Sequence, residues 1–427
     1  MLIISPYFAP INAADMHRIR TSMPYYAENG WNAEIVSVDP KYADFMLDEL
    51  LMESLAPDTI IHQIKAWDKQ WTSKFGLGSI ALRSMWFYLF AVNKLLMQKH
   101  YDLIFFSTTQ FPVLVLARLW KSRFKVKIVF DMQDPWHTDY YKQRPKQDRP
   151  EKFWFSYHLN KLLEPIAMRA ADGLISVSSG YITMLQKRYA WLAHVPAAVI
   201  PFGLHLRDLD IAKQHGETQP AVICGGNSFN LVYVGRGGHD LLPAFKHLLR
   251  AINMGLETDA ELFQNLRVQL FGTSYAAAGT GKSTLKDEVE AQGLNHMVSE
   301  STDRLPYYQT LNTLRGADLL FIPGSEQAEY TASKILPYLL AQRPILAVTL
   351  QASTATSILS RVPQARTIRL DQHESHISAD IKAYLKMSMK CQETTTEFTI
   401  PDLSDFTSAH LTSVQTQLFT QVCKSPK

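Results

Sequence analysis

Apolar residues recur along this chain in two alternating styles. Compact runs such as Leu2-Ile3-Ile4, Leu103-Ile104-Phe105-Phe106 and Leu319-Leu320-Phe321-Ile322 have no polar residue at alternate positions. That is the pattern of strands buried on both faces. Between them lie longer stretches in which apolar residues return every three or four positions, as on an amphipathic helix. The pattern predicts strands over 2–4, 33–38, 103–107, 126–131, 173–177 and 198–201, with helices over 16–28, 79–98, 112–120 and 153–170. The alternation then restarts, with strands over 229–234, 267–271, 319–322 and 345–348 and helices over 241–254, 286–292, 307–315 and 333–341. A polar stretch over 202–227, containing Gly216, Gly225 and Gly226, separates the two arrays. Past Pro401 a last helix is expected over 404–422, with Leu411, Val414, Leu418 and Val422 near helical spacing and no strand after it. Strands alternating with helices make parallel sheets covered on both faces. The expected fold is therefore α/β: two Rossmann-like domains facing across a cleft, over 1–203 and 204–402, and a helix over 403–427 that returns to the N-terminal domain.

Composition narrows the function more than the fold. The 427 residues are 46% hydrophobic and 19% charged, an ordinary globular balance that excludes wholesale disorder. Lys and Arg number 43 against 40 Asp and Glu, a net charge of +3. That is too little for a general nucleic-acid binder, so any basic partner surface must be local. Cys224, Cys391 and Cys423 are odd in number and far apart, which suits neither a disulfide framework nor a zinc cluster. The opening Met1-Leu-Ile-Ile-Ser-Pro has no basic region or cleavage pattern, so no signal peptide is expected and the reading is cytoplasmic. The longest uninterrupted apolar run, 85–92, has eight residues, where a spanning helix needs about 20. One basic segment does stand out. Residues 61–100 hold six Lys or Arg against one acid, Asp68, interleaved with Trp67, Trp71, Phe75, Trp86, Phe87 and Phe90; 118–127 adds five basic residues and no acid. Such segments suit an anionic membrane surface, here the inner membrane face. The competing expectation is that the aromatics are core and the lysines solvated.

Parallel sheets bind ligands beyond the carboxyl ends of their strands. The first candidate is Tyr-Val-Gly-Arg-Gly-Gly-His-Asp over 233–240. Gly235, Gly237 and Gly238 would let the backbone approach a phosphate, and Arg236 could pair with a diphosphate through two parallel bonds. A tight turn with Asp240 capping the next helix is the plainer alternative. The second is 323–334, with Thr331 and Ser333 as caps, Lys334 at the helix start and Glu329 placed to accept bonds from sugar hydroxyls. In the first array, 6–17 follows a strand; His17 at its end and Arg18 just after it could meet donor or acceptor or stand in solvent. Asp131 and Asp134 bracket another strand end, where an aspartate could orient a hydroxyl or simply cap a turn; His137 is a weaker candidate. The Gly-Thr-Gly-Lys-Ser-Thr segment over 279–284 imitates a P-loop, but the required first glycine is Ala276 and the strand ends at 271, so a surface loop is expected.

Residues 231–348 resemble the nucleotide-sugar-binding half of B-type-fold glycosyltransferases, in particular the family 4-like group. The resemblance rests on 233–238, on Phe-Gly-Thr-Ser-Tyr-Ala over 271–276, on 298–307, on Ala-Asp-Leu-Leu over 317–320 and on Tyr-Thr-Ala-Ser-Lys-Ile-Leu-Pro-Tyr over 330–338. Pro6-Tyr-Phe-Ala-Pro, Asp131-Met-Gln-Asp-Pro-Trp and Pro201-Phe-Gly extend it through the first half. The resemblance implies a retaining transfer of sugar without metal or cofactor, from a nucleotide-sugar donor to a glycan or lipid-linked acceptor of the cell envelope. It places Glu329 at the donor sugar and Arg236 at the diphosphate; with Lys334 at the facing helix start these are the expected catalytic residues, Gly235, Gly237, Gly238, Thr331 and Ser333 are expected on the donor, and His17, Arg18 and Asp134 on the acceptor side. The chain departs at Pro337, where the family has a second glutamate for the ribose, and at Ala13-Ala14, where it often has glycines. Those departures keep a non-catalytic nucleotide-sugar binder open as an alternative, with a sugar-nucleotide epimerase on the same scaffold as another.

Overall fold

The computed structural model describes the chain except residues 144, 147, 148, 150, 151, 225, 275, 277, 278, 326–334, 392–400, 426 and 427. It divides into two compact units, Met1–Gly203 with Phe406–Lys427, and Leu204–Asp405.

Unit 1 runs β1 (Leu2–Ile4), α1 (His17–Tyr26), β2 (Glu34–Val38), β3 (Ile60–Ile64), α2 (Lys69–Thr72), α3 (Ile80–Gln98), β4 (Leu103–Ser107), α4 (Leu116–Phe124), β5 (Lys127–Met132), α5 (Phe153–Met168), β6 (Gly173–Ser176), α6 (Ser179–Arg188) and β7 (Ala197–Val199). The seven strands lie in the order β3-β2-β1-β4-β5-β6-β7, every pairing parallel. Strands β1, β2, β4 and β6 are buried along their whole length. On one face Phe106 packs between Phe130 and Trp120, with ring centroids 5.3 and 6.0 Å away. Ser79 caps α3 by accepting a bond from the Leu82 N–H. Although its longest apolar run is short, α3 is apolar enough over 19 residues to cross a bilayer by length and composition. Its apolar residues are spread along the helix rather than contiguous.

Unit 2 runs α7 (Leu206–Gln214), β8 (Phe229–Val234), α8 (Leu242–Thr258), α9 (Ala260–Phe263), β9 (Leu266–Phe271), α10 (Lys286–Ala291), β10 (Val298–Ser301), α11 (Tyr307–Gly316), β11 (Leu319–Pro323), α12 (Ile335–Leu340), β12 (Ile345–Thr349), α13 (Thr354–Leu359), β13 (Ala365–Arg369) and α14 (Glu374–Lys390). Its six parallel strands are ordered β10-β9-β8-β11-β12-β13. The last helix, α15 (Ser408–Lys424), belongs to unit 1. Phe419 on α15 meets the rings of Phe105, Trp31 and Tyr26 at 4.9, 5.6 and 6.4 Å. Gln415 is buried there, donating to Ser22 Oγ and accepting from Tyr26 Oη, each at 3.0 Å.

Three strands lie outside the sequence expectation: β3, β10 and β13. All are outermost in their sheets and carry polar side chains along much of their length. An edge strand has one neighbour and less cover, so it needs no continuous apolar run. Helices α2, α6, α7, α9, α13 and α14 likewise lie outside the sequence expectation, and the last helix begins at Ser408 rather than 404.

Candidate functional site

In both sheets the strand order reverses direction around the first strand of the array. The crevice at such a reversal, beyond the strand carboxyl ends, is where this architecture holds ligands. In unit 2 it lies between β8 and β11. The Tyr338 hydroxyl on α12 pins the end of β8, accepting from Val234 N at 2.9 Å and donating to Val234 O at 3.2 Å. The glycine turn follows. Gly235 N donates to Phe271 O and Gly237 N to Thr273 O, at 2.9 and 2.6 Å. These two glycines therefore bring the turn close to the β9 loop, and their N–H groups are already used. A Cβ on Gly237 would stand 2.4 Å from Thr284 Oγ1 and 3.1 Å from Thr273 O. Gly238 has φ +142°, a region side chains avoid.

Arg236 forms a two-pronged ion pair with Asp240, Nη1 to Oδ1 at 2.8 Å and Nη2 to Oδ2 at 2.6 Å. Asp240 does not cap α8, whose N-cap is Leu241 with no side-chain bond. Burial raises the Asp240 pKa, but the Arg236 bonds outweigh it and hold the carboxyl below its ordinary range. Ser325, just past β11, also hydrogen-bonds this carboxylate. Asp240 thus ties the glycine turn after β8 to the loop after β11. The geometry sets a guanidinium fork beside a glycine backbone, suited to an anion with two acceptor oxygens.

The segment imitating a P-loop is a loop held by Glu300. That carboxylate accepts from Thr273 Oγ1 at 2.5 Å, from the Ser283 hydroxyl and from the Leu285 N–H at 3.3 Å. Gly281 is pressed against Thr302 and Ser274, and Lys282 is exposed. Glu329, Thr331, Ser333 and Lys334 lie outside the described residues. Pro337 sits in the first turn of α12.

In unit 1 the reversal lies between β1 and β4, and side chains fill it. Buried Asp15 accepts at Oδ2 from Thr108 Oγ1, Thr109 N and Thr109 Oγ1, at 2.9, 3.0 and 3.2 Å. Burial raises its pKa, and these bonds only partly oppose the rise. Gln133 Nε2 bridges Asp15 O, Ser107 Oγ and Asp131 Oδ2 at 3.1, 3.0 and 2.9 Å. Arg18 points inward from α1. Its Nε meets Asp131 Oδ2 at 2.6 Å, Nη2 and Nη1 donate to the Ile200 and Pro201 carbonyls at 2.7 and 3.1 Å, and Phe202 lies under its plane. With only 2% of Arg18 exposed, the fork holds the β7 loop in place and is not presented to a ligand. His17 is half-buried beside Arg20, and Asp134 is exposed. Near the β5 end, buried Glu164 accepts from His137 N, Arg188 Nη1 and Tyr189 Oη at 2.8, 2.5 and 2.8 Å. Burial, and then the Arg188 cation, lower the His137 pKa.

The sequence reading missed Asp15, Thr108, Thr109, Gln133, Glu164 and Tyr338. Thr108, Thr109 and Gln133 lie just beyond predicted strands, and Gln133 and Tyr338 fall within stretches that carry the family resemblance; Asp15 and Glu164 had neither mark. Among the described residues no cluster of three or more His, Cys, Asp or Glu side chains could hold a metal ion.

No protein-family model and no curated protein sequence matches the chain. Solved structures do. Anabaena HepE in complex with UDP and glucose is 14% identical, with a TM-score of 0.60 over 98% of this chain and 99% of that one. Sucrose-phosphate synthase of Thermosynechococcus elongatus is 13% identical, with a TM-score of 0.61 over 99% and 98%. WaaG, a glycosyltransferase of lipopolysaccharide biosynthesis, is 12% identical, with a TM-score of 0.56 over 98% and 100%. These matches span both units, and with the two reversing parallel sheets they identify the fold of this chain as the two-domain B-type fold of glycosyltransferases.

Proposed function

We propose that the protein is a glycosyltransferase that takes a sugar from a nucleotide-sugar donor and moves it to a glycan or lipid-linked acceptor. The observation that carries this reading is the fork of Arg236 beside Gly237 and Gly238 at the reversal point of unit 2. A diphosphate offers the same paired oxygens that Asp240 now supplies, so donor binding exchanges one anionic partner for another. Positive charge at this point stabilises the departing nucleoside diphosphate, which is where such a reaction develops negative charge. Lys334, Ser333 and Thr331 complete the diphosphate contacts in this reading, and Glu329 meets the donor sugar. The reading is of retaining transfer without a metal, the cations taking the metal's electrostatic part. On the acceptor side, His17 and Asp134 are the candidates for contact, and Arg18 is a positioning residue. HepE crystallised with UDP and glucose, and WaaG in lipopolysaccharide synthesis, support a nucleotide-sugar donor and an envelope acceptor.

The test is calorimetry with UDP-, GDP- and dTDP-sugars on the wild type and Arg236→Ala. One donor class should bind, and the variant should lose about 1.5–3 kcal/mol of affinity, the worth of a charge-assisted bond. A ligand at about 100 times its dissociation constant adds about 2.7 kcal/mol of stability, so the same donor should raise the melting temperature. Absence of binding by every donor, or unchanged affinity in the variant, overturns the assignment.

A further inference from the structure

Unit 1 carries a second surface that donor chemistry does not use. Helix α3 buries Tyr88 and Val92 but leaves Trp86 and Phe90 56% and 54% exposed. Lys94 and Met97 continue the same stripe at helical spacing. The Trp86 and Phe90 rings meet edge to face at 4.7 Å, forming one apolar plate. On α5, Trp154 is 72% exposed, and Phe155, Lys161 and Leu162 are exposed with it. Helix α4 packs against both α3 and α5, so the three form one layer. The turn after α2 joins them. The Phe155 ring lies 3.7 Å from where a Cβ on Gly76 would stand, and Lys74 sits 5.4 Å over the exposed Trp71 ring.

Within the three helices the exposed charge has one sign, while Asp68 capping α2 and Asp139, which accepts from Tyr157 Oη on α5 at 2.6 Å, are exposed acids next to them. Helices α3 and α4 contain no Asp or Glu, and the single acid of α5, Glu164, is fully buried beneath Arg188 and Tyr189. Lys94, Arg118, Arg123 and Lys161 are all exposed. Arg83, Lys69 and Lys99 do not add to this charge, since Asp44 and Glu34 hold them. A surface facing water alone mixes both signs, and the centre of a protein interface is depleted of lysine. Exposed tryptophans among cations that, among the described residues, no exposed acid of the same three helices opposes match the headgroup layer of an anionic bilayer.

We propose that the α3–α4–α5 face of unit 1 docks on an anionic lipid surface, with Trp86, Phe90 and Trp154 entering the headgroup layer. Helix α3 then lies along the membrane rather than across it. Its inner face is tied to the sheet by Tyr88 Oη donating to Val36 O at 3.0 Å, and by Arg83 held on Asp44. The surface shares no residue with the donor assignment, so either can fail without the other.

The experiment is sedimentation of the full chain with vesicles of phosphatidylcholine alone or with one third phosphatidylglycerol. Binding should require phosphatidylglycerol and weaken with salt. Trp86→Ser and Trp154→Ser should each weaken it roughly tenfold, from the lost apolar burial. Lys94→Gln and Lys161→Gln should each weaken it about fivefold. All four residues are exposed, so the melting temperature and donor affinity of each variant should stay at the wild-type values. No vesicle binding, equal binding to neutral vesicles, or variants that bind like the wild type overturn the proposal. A lipid-free dimer abolished by Trp86→Ser also overturns it, assigning the face to a second copy of the chain.

Discussion

In unit 1 the reversal point between β1 and β4 is filled by side chains, while in unit 2 the equivalent point between β8 and β11 is bordered by glycines. The sheets share one strand order there, so backbone topology does not explain the difference. Unit 1 spends Asp15 on Thr108 and Thr109, and Gln133, Asp131 and Arg18 on one another and on nearby carbonyls. Among the described residues unit 2 has one ion pair at this point, with 21% of the Arg236 side chain and 13% of that of Asp240 exposed. The same scaffold carries a buried polar hub in one unit and, in the other, a partly exposed ion pair beside glycines that seats the donor's anion in the proposed reading. The choice lies in whether residues after the first strand carry side chains long enough to reach across.

The largest effect should come from the hub. Arg18→Ala leaves buried Asp131 without its paired cation, and breaking a buried pair from one side costs about 3–5 kcal/mol. Urea denaturation should show that loss in the unit 1 transition. A loss below about 1 kcal/mol, the level of an exposed pair, would erase the contrast with unit 2.

Gly238→Ala comes next. A side chain at φ +142° costs on the order of 1–3 kcal/mol, and here the added Cβ also meets Arg236 Nη1 at 2.7 Å. Donor affinity should fall with it, because the guanidinium must move. A variant with full stability and full affinity would show that the turn does not depend on its glycine.

The two aspartates should respond to pH in opposite directions. The raised folded pKa of Asp15 means its stabilising contribution is present below its ordinary value of 3.8 and is lost as pH rises through the folded value. Asp15→Asn should therefore gain on the wild type as pH increases from about 4 toward neutrality. Asp240 is depressed, so its contribution is present above 3.8 and is lost as pH falls through the folded value. Asp240→Asn should be less stable than the wild type near neutrality and equal to it in acid. Melting curves across that range check both, and parallel profiles would remove the electrostatic difference between the units.

The smallest stability effect should belong to Arg236→Ala. A partly exposed pair four residues apart contributes about 1 kcal/mol or less, so melting should barely change while nucleotide affinity drops. A stability loss as large as that of Arg18→Ala would mark Arg236 as structural.

Much of this was legible in the sequence, for identifiable reasons. The inner strands β1, β4, β8, β11 and β12 are apolar runs because both faces are covered, and a run of that kind has few other uses. The edge strands β3, β10 and β13 left no such mark, since their polar residues are allowed by the missing neighbour. The glycine turn was visible because its conformation demands glycine at 238. Arg236 was visible as a candidate, but not its partner Asp240, which the sequence suggested as a helix cap.

What the sequence determined by itself is local. Apolar runs and periodicity set the covered inner elements, glycine sets the turn after β8, and charge composition leaves α3 and α4 without an acid. What the tertiary structure decided is which distant residues meet. Arg18 finds Asp131 across 113 positions, Asp15 finds Thr108 across 93, and Tyr26 finds Gln415 on the last helix across 389. Parallel strands bring their carboxyl ends to one edge whatever lies between them in the chain. A side chain's partners there are chosen by strand order and reach, and neither is written in the spacing along the sequence.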